Sequence, residues 1–343
     1  MFLPKNILNT IIYYDILNFP LTSFEVWEYL LAENGCTLGE IVEALENEEL
    51  KNHIEEFRGF YFRKGRKDLV ARRIQNDKNS IVKFEIAEKA ARWLRFVPFV
   101  RMVALTGTLA MKNCEKNSDI DFFVVLEKGR IFTGRLLVTL IVHLLGKRRY
   151  GKKIKNRICL NYFITDESLE IQRQDLFATN EYSFIYPIFD SLVIPTGAKR
   201  SGGIYVEKQI ASHQVMDEDP SAALGMTKKG VFCQFCEKNA AWIKKFKPNW
   251  KTPELKPARY FVEFSSRQRA VQRLFESLIN LFWGDRIESW MKKKQIKRIR
   301  RKSRMLGKEA YIEATDKNLI FLPIPQGVRI EEEWQKRMKD IVL

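Results

Sequence analysis

Val103-Ala104-Leu105-Thr106-Gly107-Thr108, followed by Ser118-Asp119-Ile120-Asp121-Phe122-Phe123-Val124-Val125, decides the fold. An apolar strand runs into Gly-Thr, and a short segment with polar residues follows. Asp119 and Asp121 stand two apart, so the period of a strand turns both carboxylates to one face and Ile120 and Phe122 to the other. The strand then continues apolar. Two acids at the mouth of a buried strand are costly unless a cation meets them.

Outward from this stretch the texture stays α/β. The pattern predicts a strand over Val100–Thr106, a helix from Leu109, a strand over Ile120–Leu126, a helix over Phe132–Leu145 and a strand over Ile158–Ile164. Upstream, Ile7, Leu8, Ile11, Ile12 and Ile16 have helical spacing. Thr22 with Glu25, and Thr37 with Glu40, read as capping boxes that open two more helices. Phe60-Tyr61-Phe62 and Leu69-Val70 around Arg63–Arg66 look like a hairpin, and a further helix spans Ser80 to Phe96. Three helices and a hairpin resemble a winged helix-turn-helix domain. The helix that would enter a groove, Leu38–Glu46, carries Glu40, Glu43 and Glu46 and no Lys or Arg. Phosphate contact needs cations there, so a packing or partner-binding role is expected instead.

Beyond residue 192 the texture breaks. Residues 193–230 hold Gly, Pro, Ser and an Asp217-Glu218-Asp219 run without a sustained apolar period, which predicts an inserted, disordered loop. Val193–Gly203 and Pro220–Thr227 resemble translated bacterial intergenic repeats, which implies an insertion without a role. Removing it is expected to join Phe189–Leu192 to Val231-Phe232 in one helical segment. Residues 231–343 then read as mainly helical: Phe232 to Phe246, Tyr260–Trp283, Ile287–Lys302 and Ile330–Leu343, with a late strand at Leu319–Leu322.

Composition excludes several classes. The 343 residues are 45% hydrophobic and 12% aromatic, too apolar for a disordered chain. Five scattered Cys make no disulfide framework and imply a reducing, cytoplasmic setting. His53, His143 and His213 are the only histidines, which disfavours a His-built zinc enzyme. The most apolar stretch, Leu136–Leu145, is half of the ~20 residues a membrane span needs, so no membrane partner is expected. Met1-Phe2-Leu3-Pro4-Lys5 lacks a basic n-region followed by an apolar stretch, so no secretory signal is expected.

The net charge of +17 is unevenly spread. Residues 1–98 carry 14 basic and 15 acidic groups, 99–250 carry 23 and 15, and 251–343 carry 22 and 12. Two basic clusters, 147–157 and 292–302, suit a polyphosphate or a nucleic-acid backbone as well as a solvated face.

The Gly107-Thr108 and Asp119-Ile120-Asp121 pair closely resembles the signature of the nucleotidyltransferase superfamily related to DNA polymerase beta: an apolar strand, Gly-Ser or Gly-Gly, about ten residues, then Asp-apolar-Asp. Thr108 keeps the hydroxyl where Ser is usual. The resemblance covers residues 98–170 and implies an α+β fold. Its parts would be a nucleotidyltransferase-type mixed sheet over 79–192, a winged-helix-like domain over 1–78 and a basic helical region over 231–343. It implies that Gly107, Thr108 and Ser118 bind the nucleotide, and that Asp119 and Asp121 are catalytic and hold Mg²⁺ or Mn²⁺. The reaction implied is transfer of a nucleoside monophosphate from an NTP to a hydroxyl acceptor. Hard oxygen ligands suit such ions. Family members usually carry a third carboxylate on a later strand. Here Arg157–Ile164 offers only Asn161, which can ligate a metal but cannot act as a base. Asp166 and Asp175 are nearby substitutes in sequence. Two alternatives follow: a degenerate nucleotide or nucleic-acid binder, and a winged-helix DNA-binding regulator.

Other patterns carry less. Cys233 and Cys236 read as core thiols, His143 as a packed histidine, and the Trp and Phe of 275–290 as core. There is no G-x-x-x-x-G-K-[ST], G-x-G-x-x-G or G-x-S-x-G string.

Overall fold

The computed structural model describes residues 3–192, 230–253, 259–282, 284–303, 310–322 and 326–339. It is an α+β molecule with a three-stranded and a six-stranded sheet. The predicted loop 193–230 lies outside the described residues except for Gly230.

The first elements are α1 (Leu3–Ile16), β1 (Leu21–Thr22), α2 (Ser23–Glu28), α3 (Leu38–Leu45), α4 (Glu48–Lys51), β2 (Ile54–Phe57) and β3 (Phe60–Arg63). Both capping boxes form: the Thr22 and Thr37 hydroxyls accept from the amides of Glu25 and Glu40, whose carboxylates accept in return. The small sheet has the order β1-β3-β2. Its hairpin differs from the sequence expectation. β2 pairs with β3 across Arg58-Gly59, both at positive φ. Leu69 and Val70 instead open α5 (Asp68–Leu94), a single helix that swallows the one expected from Ser80. Gly65, at φ +81°, ends the chain's run beyond β3 and frees that helix to start.

The larger sheet follows: β4 (Val100–Leu105), α6 (Gly107–Ala110), β5 (Ile120–Leu126), α7 (Ile131–Leu144), β6 (Ile158–Thr165), α8 (Leu176–Ser183), β7 (Tyr186–Asp190), α9 (Val231–Phe246), α10 (Ser266–Phe282), α11 (Gly284–Ser303), β8 (Tyr311–Ala314), β9 (Asn318–Leu322) and α12 (Gln326–Lys339). Its order is β7-β4-β5-β6-β9-β8, antiparallel except between β5 and β6. The central strands are buried on both faces. Val103, Leu105, Phe122 and Val124 pack on one side, and Met102, Ala104, Phe123 and Val125 on the other.

Phe189 and Asp190 are therefore strand, not helix, and α9 begins anew at Val231. A carboxylate joins the two: buried Asp190 accepts from Leu192 N at 2.9 Å and from Phe232 N at 2.8 Å. Both ends of the 193–229 stretch are thus held by one side chain. Replacing 193–229 by a short Gly-Ser bridge is expected to change stability by no more than about 2 kcal/mol, because loop-closure entropy grows only with the logarithm of length. Thermal melting of the deletion variant checks this, and an unfolded product would refute it.

The N-terminal segment is tied to the rest by buried polar groups. Lys247, just past α9, donates to Tyr14 Oη (2.8 Å), Asn180 Oδ1 (3.1 Å) and Ser183 Oγ (2.8 Å), among the rings of Tyr14, Tyr29 and Phe184. Burial pushes its ammonium well below the ordinary lysine range. Asn249 accepts from Cys36 N and donates to Trp27 O. From α12, Arg337 joins Arg66 on the buried carboxylate of Asp15. Lys247→Ala is expected to cost about 3 kcal/mol, from the void and the acceptors it strands. Urea unfolding measures it.

Several apolar residues expected inside lie outside. Phe275 and Trp290 are about half exposed, in company with Val271, Leu274, Leu278 and Leu281 on α10. His143 is exposed on α7, its ring 6.3 Å from that of Tyr150. Helical spacing collects apolar residues on one face but does not say what covers it. Cys236 is buried as expected, and Cys233 is half-buried. None of the five cysteines forms a disulfide. No helix among the described residues is long and apolar enough to cross a membrane.

Candidate functional site

Two neighbouring strand mouths build the site. β4 ends at Leu105, and the chain turns at Gly107 into the single turn of α6. Its antiparallel neighbour β5 begins beside that turn, with Leu105 facing Phe122 and Thr106 N donating to Asp121 O at 3.2 Å. Gly107 sits at φ +64°, and a Cβ there would lie 3.1 Å from Asp121 Oδ2. The turn therefore needs glycine both for its backbone and for the carboxylate pressed against it.

Asp119 and Asp121 come together as their spacing predicts. Beside them lies Cys159, which pairs with Asp121 in the parallel β5–β6 ladder. One ligand atom from each of Asp119, Asp121 and Cys159 lies within 4.8 Å of the others. The ladder then slips, so that Phe123 pairs with Tyr162 and Asn161 falls in the irregularity. Burial, and next the charge of Asp119, raise the Asp121 carboxyl above its usual range, while the Cys159 thiol and Arg149 draw it back. Burial and both aspartates push the Cys159 thiol up to about 12, so it stays a neutral thiol near neutral pH. Magnesium would find its hard donors in the two carboxylates and none in that sulfur.

Arg149 closes one side. Its Nη1 is ion-paired with Asp119 Oδ2 and lies 3.5 Å from Cys159 Sγ. Main-chain bonds hold the loop in place: Arg149 N to Ile158 O, and Ile158 N to Lys147 O. From below, the buried Lys83 of α5 donates to Ser118 O (2.7 Å) and Asn156 Oδ1 (2.8 Å), fixing the approach to Asp119.

Of the remaining residues singled out in the sequence, Thr108 and Ser118 adjoin the site, and Asp166 and Asp175 do not. Thr108 is exposed, its hydroxyl 3.5 Å from Cys114 Sγ. The Ser118 hydroxyl donates to Glu115 O at 3.0 Å. Asp166 lies just beyond the far end of β6, seven residues along from Cys159 or about 23 Å at strand rise. Its carboxylate accepts from Lys128 N. Asp175 caps α8 by accepting from Ala178 N at 2.7 Å and pairs with Arg173. Neither acid substitutes at the site.

A different acid comes close. Glu181, toward the end of α8, accepts from the Thr106 hydroxyl and feels the charge of Asp121. Its carboxyl is pushed up to about 7, chiefly by burial and then by Asp121, against the pull of Arg173 and Thr106. Glu181 also lines a cavity with Tyr162, Arg173, Tyr182, Tyr311 and Glu313. No motif flags it. Its one sequence signal is a charged residue inside the otherwise uncharged helix Leu176–Ser183.

One residue from each basic cluster lies near α7. Arg148 from one and Arg298 from the other both repel Arg135 of α7, whose pKa, depressed mainly by burial, falls to about 10. On α11, Glu288 accepts from Phe132 N and Thr133 N, which seats that helix across the start of α7.

Compared with protein-family models, curated proteins and solved structures, the chain matches none.

Proposed function

We propose that this protein is a divalent-metal-dependent nucleotidyltransferase, moving a nucleoside monophosphate from an NTP to a hydroxyl acceptor. One observation carries the reading: Asp119 and Asp121 lie together beside a glycine turn that leaves room for the Asp121 carboxylate, with Glu181 near enough to feel the Asp121 charge. Asp121 and Glu181 are half-buried with raised pKa values, a cost to folding that a bound cation would offset.

Asp119 and Asp121 hold the divalent ions, with Asn161 on the adjoining strand as a further oxygen donor. Bound there, such ions neutralise charge on the attacking and leaving oxygens. Gly107, Thr108 and Ser118 receive the nucleotide. The acceptor oxygen forms its bond to the α-phosphorus as the α–β anhydride bond breaks and pyrophosphate leaves, and Glu181 takes the hydroxyl proton. Basic side chains of 147–157 and 292–302 suit a polyanionic acceptor. The N-terminal elements, in the order of a winged helix, serve as a packing and partner-binding module. The acidic residues of α3 disfavour a DNA-binding regulator.

One observation favours a second reading, a non-catalytic nucleotide binder: the strand position opposite Asp121 holds Cys159 rather than an acid, and a guanidinium already neutralises Asp119. Labelled NTPs with Mg²⁺ or Mn²⁺ and pooled acceptors decide between them. Pyrophosphate release abolished by Asp119→Asn and Asp121→Asn supports the enzyme. Metal-dependent NTP binding without release supports the binder, and sequence-selective DNA binding that survives both substitutions supports the regulator.

A further inference from the structure

We infer that Arg149 is a resident counter-cation of the Asp119–Asp121 site, which an incoming divalent ion displaces and which then engages the anion that accompanies the ion. The inference rests on the metal reading above and extends it to the order and coupling of ligand binding.

Four observations carry it. The Arg149 guanidinium contacts Asp119 Oδ2 and Cys159 Sγ, two of the three donor atoms that crowd within 4.8 Å of one another. A positive group therefore already stands where a cation would bind. The side chain is 41% exposed while that of Asp119 is 17% exposed, so the arginine reaches in from solvent and has room to swing out. Its backbone stays anchored by the bonds of 147–149 to Ile158, which confines any movement to the side chain. Finally, Arg149 belongs to a run with Lys147, Arg148, Lys152, Lys153, Lys155 and Arg157. Once released from Asp119 it joins like charges, an arrangement that is unfavourable until an anion arrives. A planar guanidinium is well made for phosphate oxygens.

The consequence is reciprocal coupling. In the ligand-free protein the ion must compete with Arg149 for Asp119, so metal alone binds weakly. A polyphosphate that attracts Arg149 frees the carboxylate, and metal that occupies the carboxylate frees Arg149. Each ligand raises the affinity for the other.

The test measures Mn²⁺ binding to the full-length protein by calorimetry, without nucleotide, for the wild type, Arg149→Gln, Arg149→Lys and Asp121→Asn. Removing the competing guanidinium is expected to tighten Mn²⁺ binding roughly two- to fivefold in Arg149→Gln, the scale of a partly exposed ion pair. Arg149→Lys, which keeps the charge, returns toward the wild type. At saturating Mn²⁺, the β,γ-imido analogue of ATP binds more weakly to Arg149→Gln than to the wild type. Unchanged or weaker Mn²⁺ binding by Arg149→Gln, with wild-type binding abolished by Asp121→Asn, overturns the displacement and leaves the metal site standing. Failure of every form to bind Mn²⁺, or equal binding by Asp121→Asn, overturns the metal reading and the inference with it.

Discussion

Asp121→Asn is expected to lower the rate of pyrophosphate release by ~10³-fold or more, the equivalent of about 4 kcal/mol of lost transition-state stabilisation. The substitution keeps the size and shape of a side chain wedged against the Gly107 turn, so packing survives while the anionic ligand is lost. Carrying a charge at this half-buried position opposes folding, since burial and Asp119 both raise the Asp121 carboxyl. The neutral amide relieves that cost. The variant is therefore expected to melt no lower than the wild type at neutral pH. A variant that is both inactive and unstable would point to a structural acid instead.

Glu181→Gln is expected to slow the reaction by roughly 10²–10⁴-fold, the usual contribution of a positioned general base. Its pH dependence separates this role from a structural one. The Glu181 carboxyl is raised to about 7, and the base acts only when ionised. Activity of the wild type thus falls as pH drops through that value and levels off above it. Divalent ions on Asp119 and Asp121 cancel the Asp121 contribution and move this limb somewhat lower. In Glu181→Gln the limb is expected to vanish with the bulk of the activity. Stability follows the opposite course: a carboxyl whose folded pKa lies above its unfolded value contributes most at low pH and costs stability once pH passes the folded value. The glutamine variant should accordingly be at least as stable as the wild type at pH 8. Preserved activity with a preserved pH limb would exclude Glu181.

Much of the sheet is legible in the sequence. The limits of β5 agree with the expected strand to the residue, β4 and β6 differ by one residue at one end, and α7 is shifted by one residue at both ends. Runs such as Phe122-Phe123-Val124-Val125 are buried on both faces, a local property of the string. Both capping boxes formed for the same reason, each needing only four consecutive residues. The errors fell where local pattern admits two answers. Tyr186–Asp190 is as apolar as a buried helix turn, and its pairing with β4 decided for strand. Leu69-Val70 has strand-like composition, yet it joined α5 because the hairpin had closed earlier, at Arg58-Gly59. The apolar spacing of α10 was real, but its face was left exposed.

By itself, then, the sequence determined the two aspartates and the glycine turn, because strand period and turn chemistry act over a few bonds. It also determined that the excess of positive charge lies after the first 98 residues. Only the tertiary structure decided what surrounds those aspartates. The parallel β5–β6 pairing set Cys159 opposite Asp121, the bridge of 147–149 to Ile158 aimed Arg149 at Asp119, and the packing of α8 carried Glu181 to Thr106 from sixty residues downstream of Asp121. Electrostatic interaction depends on distance through space, and residues so far apart along the chain share no local pattern that reports it.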